Sequence, residues 1–359
     1  MAKKMSKKAE DEKSDEKKDP TEVAMKAIRS KYGDIIKSGS QLFDPKVPKK
    51  CLSVSPAYDH GLNGGIQEGS WTIITGIPKI GKTTVTLQIM ANGHSEGRKS
   101  IYVNAENRLK EYNLDGIHNL NKSEMEIIGG GDKDLAGEDF LNSLDTMIRL
   151  PKFKGCVVAV DSTSSLLPRA ELEADVSGML RANLPKMLSH WIKKNAQTVV
   201  RNDIIMILIT HFITNTSGYG KQKLADCGVM VQYQADTRIE FSKVEPWEEN
   251  GKKIGQKTQC EIGCSSMGAS GTSVTSYIRY GYGIDSIKEC TELAESFGLI
   301  MRGDKGVGAW YTMPFLKELP DFVACADQKF QGTQKVYDFI KENESVANYL
   351  KKEIPQYIE

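Results

Sequence analysis

The stretch "ITGIPKIGKTTVTL", Ile74–Leu87, carries the spacing G-x-x-x-x-G-K-T, and its surroundings decide the fold. It follows the apolar run "WTIIT" (71–75) and opens a helical pattern, the strand–loop–helix context that a phosphate-cradling loop requires. In such a loop Gly76 and Gly81 let backbone N–H groups converge on phosphate oxygens, and the helix behind adds the positive end of its dipole. The segment Gly76, Ile77, Pro78, Lys79, Ile80, Gly81, Lys82 and Thr83, with Thr84 behind it, is therefore expected to hold ATP. Lys82 is expected to reach the β and γ phosphates, and the Thr83 hydroxyl to coordinate Mg2+.

Working outward, short apolar runs alternate with helical patterns between about Ser53 and Phe241. "SIYVN" (100–104), "CVVAV" (156–160) and "IIMILIT" (204–210) are continuous and rich in β-branched residues, as strands covered on both faces are. Strands separated by helices imply βαβ units and an α/β fold with a mostly parallel central sheet. Further strands are expected at "DTRIEFSKV" and "QKTQCEIGC". Residues 1–20 alternate Lys with Glu and Asp and read as a disordered charged arm. Residues 21–50 hold an amphipathic helix, with Thr21 as N-cap, Val23, Met25, Ile28 and Tyr32 near one face, and a linker. A core is expected over 51–274 and a small α/β C-terminal domain over 275–359, with helices at "SIKECTELAESFGLI" and "TQKVYDFIKENESVANYLKKEI".

Composition narrows the class. The chain has 359 residues, 39% hydrophobic and 26% charged, with a formal net charge of +1, so nucleic-acid binding must come from a local surface rather than a global field. Seven scattered cysteines lack the spacing of a disulfide framework and suit a reducing cytoplasm. Cys260 and Cys264 lie four apart without a second pair, which argues against zinc. The start has no apolar leader and no run reaches the length of a membrane span, so the expected location is cytoplasmic, with no membrane partner.

Three further residues converge on the sheet edge of the loop. Asp161 ends the strand "GCVVAVD" and supplies the carboxylate that a Mg2+ site needs. Glu106 follows "SIYVNAE" and is placed to polarise an attacking water as general base. His211 ends "IIMILITH", where it can hydrogen-bond the γ-phosphate and report hydrolysis to the segment after it. That segment, "FITNTSGYGKQKLADCG" (212–228), is long for a compact domain, and loops of this length are functional or disordered. Phe212, Tyr219, Lys221 and Lys223 combine aromatic and basic groups, the composition that holds single strands by stacking and phosphate contact.

The order of these parts resembles the bacterial RecA family of recombinases, from about Thr21 to the C-terminus. "GGIQEGSWTIITGIPKIGKTT" is similar to the family's passage into its P-loop, and "SIYVNAENRL" to the strand carrying its catalytic Glu. "VVAVDSTSSLLPRAELEADVSGMLRANLPKMLSHWI" resembles the Walker B strand and first DNA-binding loop, and "YIRYGYGID…LAESFGLIMRGDKGVGAWYT" the passage into the C-terminal domain. The resemblance implies a RecA-like P-loop NTPase core, a DNA-dependent ATPase, and a helical homo-oligomeric filament. That filament would coat single-stranded DNA and catalyse pairing and strand exchange with double-stranded DNA in recombination and repair. It also implies DNA contacts for Arg169, Met179 and Arg181 and for the loop at 212–228, an N-terminal helix packed on the adjacent subunit, and Tyr112 stacked on adenine.

Two departures stand out. Most of the family has Gln where this chain has His211, and the family usually places two lysines on the strand facing a neighbour's ATP. The matching stretch here, "GCSSMGASG" (263–271), has no basic residue, which leaves Lys257 or Arg279 to substitute, or hydrolysis to be slow. The short length and divergence suit a version carried by a phage or other mobile element. The alternatives are a hexameric helicase or motor on the same core, a slow ATP-switched DNA-binding protein, and, outside DNA metabolism, a metabolite kinase.

Overall fold

The structure is a computed structural model that describes residues 19–42, 50–175, 183–214, 223–225, 228–249, 251–268, 270–303 and 308–357. The chain divides into two compact units, one up to Lys49 and one from Lys50 onward. The first holds the helix Pro20–Tyr32, which buries none of its residues. It starts one residue before the expected span, because Asp19 rather than Thr21 is the N-cap. The Asp19 carboxylate accepts from Thr21 N at 2.9 Å and Pro20 takes the first helical position, where a missing N–H costs nothing. Gly33, at φ 80°, ends the helix.

The second unit is organised by a nine-stranded sheet. Its order is Gly283–Ile284, Thr272–Arg279, Lys252–Cys264, Thr237–Glu249, Ser70–Thr75, Ile205–Thr210, Val157–Asp161, Ser100–Asn104, Met125–Ile128. From Thr237–Glu249 to Met125–Ile128 neighbouring strands run parallel, and the three strands on the other side are added antiparallel. The continuous apolar runs are strands covered on both faces, as expected: Ser70–Thr75, Ser100–Asn104, Val157–Asp161 and Ile205–Thr210 are buried throughout. One face packs on the helix Lys82–Ser95 through Val85, Leu87, Ile89 and Met90. The other packs on Gly137–Met147 and Asn183–Arg201 through Phe140, Leu144, Leu188, Trp191 and Ile192, with Trp71 and Trp191 edge to face.

The expected boundary between 274 and 275 falls inside the strand Thr272–Arg279, and the sheet continues to Ile284. Within that strand a buried polar residue, Ser276, interrupts the apolar pattern, and it donates to the buried Glu289 at 2.5 Å. Beyond it a separate apolar cluster, with Cys290, Ile300, Tyr311, Phe315, Val336, Ile340 and Leu350, joins the helix Ser286–Ser296 to a three-stranded antiparallel sheet and two further helices. The single helix expected at 333–354 is two, Gly332–Glu342 and Glu344–Glu353. Asn343 breaks it at φ −118° and ψ 92°, and its side-chain amide donates to Phe339 O at 2.7 Å, satisfying a last-turn carbonyl. Arg279 ties the end of the sheet to this region through Asp285, Glu249 and the Tyr337 hydroxyl. Among the described residues no helix is long and apolar enough to cross a membrane.

Candidate functional site

The site grows from the end of the strand Ser70–Thr75. The chain turns at Gly76, where a Cβ would come within 2.8 Å of Phe241 Cβ, and re-enters regular structure at Gly81, which caps the helix at φ 110°. A side chain at 81 would be strained by that φ and would meet the tip of Ile278 at 2.5 Å, whereas at 76 it is the close approach of Phe241 that excludes one. Ile77, Pro78 and Lys79 stand exposed at the loop tip while Ile80 is buried. Lys82 is 5% exposed, and its Nζ donates to Gly76 O at 2.8 Å, Ile77 O at 2.9 Å and His211 Nδ1 at 3.3 Å. Burial lowers its pKa against the pull of Asp161 and Glu106.

Strands of a parallel sheet present their C-terminal ends on one edge, so Asp161 and Glu106 arrive beside the loop. The Thr83 hydroxyl donates to Asp161 Oδ2 at 2.7 Å, and the Tyr102 hydroxyl donates to the same oxygen at 2.5 Å. Burial pushes the Asp161 carboxyl above its usual range, against the bonds from Tyr102 and Thr83. A hydroxyl and a carboxylate are hard oxygen donors, and a nearby cation would relieve the buried charge, so Thr83 and Asp161 fit a magnesium ion. The Glu106 carboxylate accepts from Ser162 Oγ at 2.9 Å and meets His211 Nε2 at 2.7 Å, with Arg108 3.7 Å from its other oxygen. Burial raises its pKa, but the bonds from His211 and Ser162 and the charge of Arg108 outweigh it, so the carboxyl is held below its usual range. Glu106, Arg108, Pro78, Ser164, Ser165 and His211 line a cleft of about 380 Å³. The structure thus brings together Lys82, Thr83, Asp161, Glu106 and His211. Thr84 sits half-buried in the helix. Tyr102 and Ser162, which hold the two carboxylates, were not singled out from the sequence; a Tyr in an otherwise aliphatic strand is the signal that marks the first.

Tyr112 is 72% exposed on the short helix Glu111–Asp115. The segment after it packs on the turn after Arg279, with His118 N donating to Tyr282 O at 2.8 Å. That turn carries a second exposed ring, Tyr280, two residues beyond the Ile278 that touches the phosphate loop.

Of the residues assigned to DNA, Met179, Arg181, Tyr219 and Lys221 lie outside the described residues. Arg169 has its guanidinium on Asp139 and its backbone N–H on Glu138. Phe212, half-buried, and Lys223 lie in the two short strands Phe212–Thr214 and Lys223–Ala225, which pair antiparallel at the root of the loop. Sequence reading missed a groove of about 460 Å³ lined by Pro185, Lys186, Ser189, His190, Lys193 and Gly228. Among the described residues neither Lys186 nor Lys193 is paired with a carboxylate. Their spacing in the helix Asn183–Arg201 reads from sequence as an ordinary solvated face.

On the segment 263–271, the described residues offer one neighbouring cation that the sequence did not suggest. Arg238 Nε donates to Cys264 Sγ at 3.3 Å and its Nη2 to Gly263 O at 3.5 Å. Arg279 is committed to Asp285, Glu249 and Tyr337, and Lys257 Nζ lies 5.7 Å from the centre of the Tyr277 ring.

The family model described as the RecA N-terminal domain matches residues 20–285. Relatives carrying the name Protein RecA include one from Oleidesulfovibrio alaskensis, 24% identical over 343 residues, covering 94% of this chain and 90% of its own. The Streptomyces rimosus protein is 23% identical, covering 93% and 84%, and the Aquifex aeolicus protein 25% identical, covering 88% and 92%. A glycine loop and two carboxylates on one edge of a mostly parallel sheet agree with that match, and the chain belongs to the RecA family.

Proposed function

We propose that the protein is a DNA-dependent ATPase that assembles as a helical filament on single-stranded DNA and catalyses pairing and strand exchange with a homologous duplex. One observation carries the reading. His211 touches both Lys82 and Glu106, and the next residue, Phe212, opens the strand pair at the root of the 212–228 loop. A change at the γ-phosphate therefore reaches the candidate DNA loop through one peptide bond. The groove supports the same reading. The helix Asn183–Arg201 leads into the start of the strand Ile205–Thr210, so its N-terminal half, with Lys186 and with Lys193 just past the midpoint, lies toward the edge that bears the phosphate loop.

In this reading Gly76–Thr84 and Lys82 hold the triphosphate, and Tyr112 and Tyr280 flank the base. Thr83 and Asp161 hold magnesium, which neutralises phosphate charge. Glu106, kept ionised by its partners, accepts the proton of the attacking water. Lys186, Ser189, His190 and Lys193 contact the DNA backbone together with the two loops. Arg238, rather than Lys257 or Arg279, is the cation presented beside 263–271, and the location is the cytoplasm.

A second reading, a slow ATP-switched DNA-binding protein, is favoured by the absence of any basic residue in 263–271. Measuring ATP turnover with and without single-stranded DNA, and imaging the same samples by electron microscopy, separates the readings. Filaments with DNA-stimulated turnover are expected. Filaments with turnover indifferent to DNA select the switch, and closed rings select a hexameric motor.

A further inference from the structure

Lys82, His211 and Glu106 form an unbroken chain whose protons can be counted. An ammonium has three protons and no lone pair, and Lys82 Nζ has three acceptors, the carbonyl oxygens of Gly76 and Ile77 and the Nδ1 of His211. Nδ1 must therefore be the unprotonated ring nitrogen. The single imidazole proton then sits on Nε2, which donates to Glu106 Oε1 at 2.7 Å. In this arrangement the ring's only lone pair is occupied by Lys82.

A triphosphate changes one member of the chain. Phosphate oxygens compete with the loop carbonyls and with Nδ1 for the Lys82 ammonium. Once Lys82 turns to them, Nδ1 is left facing oxygens that only accept, and two lone pairs face each other unless a proton comes between. The charges around the ring decide whether one does. Glu106 on the Nε2 side and the phosphate on the Nδ1 side favour an imidazolium. The magnesium that Thr83 and Asp161 would hold offsets that carboxylate and part of the phosphate charge, so the balance rests on Glu106 and the phosphate oxygens facing Nδ1. Lys82 opposes the imidazolium, as does Arg108, whose side chain is 81% exposed and therefore screened.

We propose that ATP binding protonates His211, so that an imidazolium bridges the γ-phosphate through Nδ1–H and Glu106 through Nε2–H. The proton comes from solvent when ATP binds and returns to solvent when phosphate leaves. The proposal rests on the reading of this cleft as an ATPase site and adds to it that His211 carries charge as well as a hydrogen bond. It supplies a positive charge from within the same chain, in a protein whose 263–271 segment has none. A glutamine in its place would donate a similar bond without charge and without a proton.

Calorimetry of ATP and ADP binding to the full chain, in two buffers of different ionisation enthalpy near pH 7.5, counts the protons. The unsubstituted protein is expected to take up more protons with ATP than His211→Gln does, by an amount approaching one, while ADP shows no such difference. Between pH 6.5 and 8.5 its Kd for ATP should rise relative to that of the variant by up to about ten-fold per pH unit, because a proton bound only in the complex is lost as pH rises through its pKa there. Equal uptake by both proteins, with ATP bound by both, overturns the proposal. No ATP binding by either overturns the ATPase reading itself. Nitrogen-15 shifts of His211 in the unsubstituted protein test the same point without a variant. They should report Nε2–H alone in the free protein and both nitrogens protonated with a non-hydrolysable ATP analogue and Mg2+; a neutral ring in both states overturns the proposal.

Discussion

Two glutamates in this protein, Glu106 in the cleft and Glu289 at the seam between the sheet and the C-terminal helices, each accept a serine hydroxyl, yet they are driven in opposite directions. Glu106 also meets His211 and Arg108 and is held below the usual carboxyl range. Glu289 is 1% exposed; burial pushes it up to about 7, and its partners, the Ser276 hydroxyl and the Ala57 N–H, are neutral. Asp59, pushed up by burial to about 6, bonded to Ser53 and Val54 N, adds a second acid to the seam. The lesson is that a count of hydrogen bonds does not set the charge of a carboxyl. What decides is whether any donor brings charge or water stays within reach.

Breaking the cleft side has the largest effect. Glu106→Gln keeps the shape and removes the base, and ATP turnover should fall by about 10²–10⁴-fold with ATP affinity and thermal stability retained. A variant that turns over normally removes Glu106 from the chemistry. On the seam side, Glu289→Gln should change the pH dependence of stability. Because the folded-state pKa lies above that of the unfolded chain, the contribution of Glu289 is full below about pH 4.5 and is lost as pH rises through about 7. The difference between the two pKa values corresponds to about 3 kcal/mol. Urea denaturation at pH 5 and pH 8 should therefore show a smaller loss of stability in the variant than in the parent, and parallel losses would refute the assignment.

Replacing the two serines sharpens the contrast. Ser276→Ala leaves a buried carboxyl short of a donor and should cost about 1–3 kcal/mol in chemical denaturation, without altering turnover beyond what instability explains. Lys186→Ala with Lys193→Ala tests the cations of the groove, which work in water and not in a dry seam. Single-strand affinity should fall, and its log–log slope against salt should shallow by about 1.4, while ATP binding without DNA stays constant. Ser162→Ala should have the smallest effect, a several-fold loss of turnover, since His211 and Arg108 still hold Glu106; a loss as large as that of Glu106→Gln would show that the hydroxyl itself is essential.

The parallel half of the sheet was legible because strands buried on both faces spell continuous β-branched runs, and the edge residues Lys82, Thr83, Glu106, Asp161 and His211 follow from where those runs stop. The antiparallel end was less so. Ser276 is polar and buried, and only the three-dimensional position of Glu289 explains why. Asn343 sits in an unbroken helical pattern, and its break depends on a local side-chain bond to Phe339 that periodicity does not encode. Tyr102 and Ser162 act on carboxylates from other strands, so their roles exist only once the sheet has formed. Lys186 and Lys193 illustrate the opposite limit: a helix face that meets solvent and one that meets a ligand are written in the same letters.

The grip of Lys82 on its own loop bears on which anions the site accepts. Because Gly76 O and Ile77 O already hold the ammonium, an arriving anion must compete with two carbonyl oxygens for Lys82. A triphosphate offers several oxygens along the whole loop. The loop's own carbonyls therefore weigh more against a ligand that offers Lys82 a single oxygen than against one that offers several.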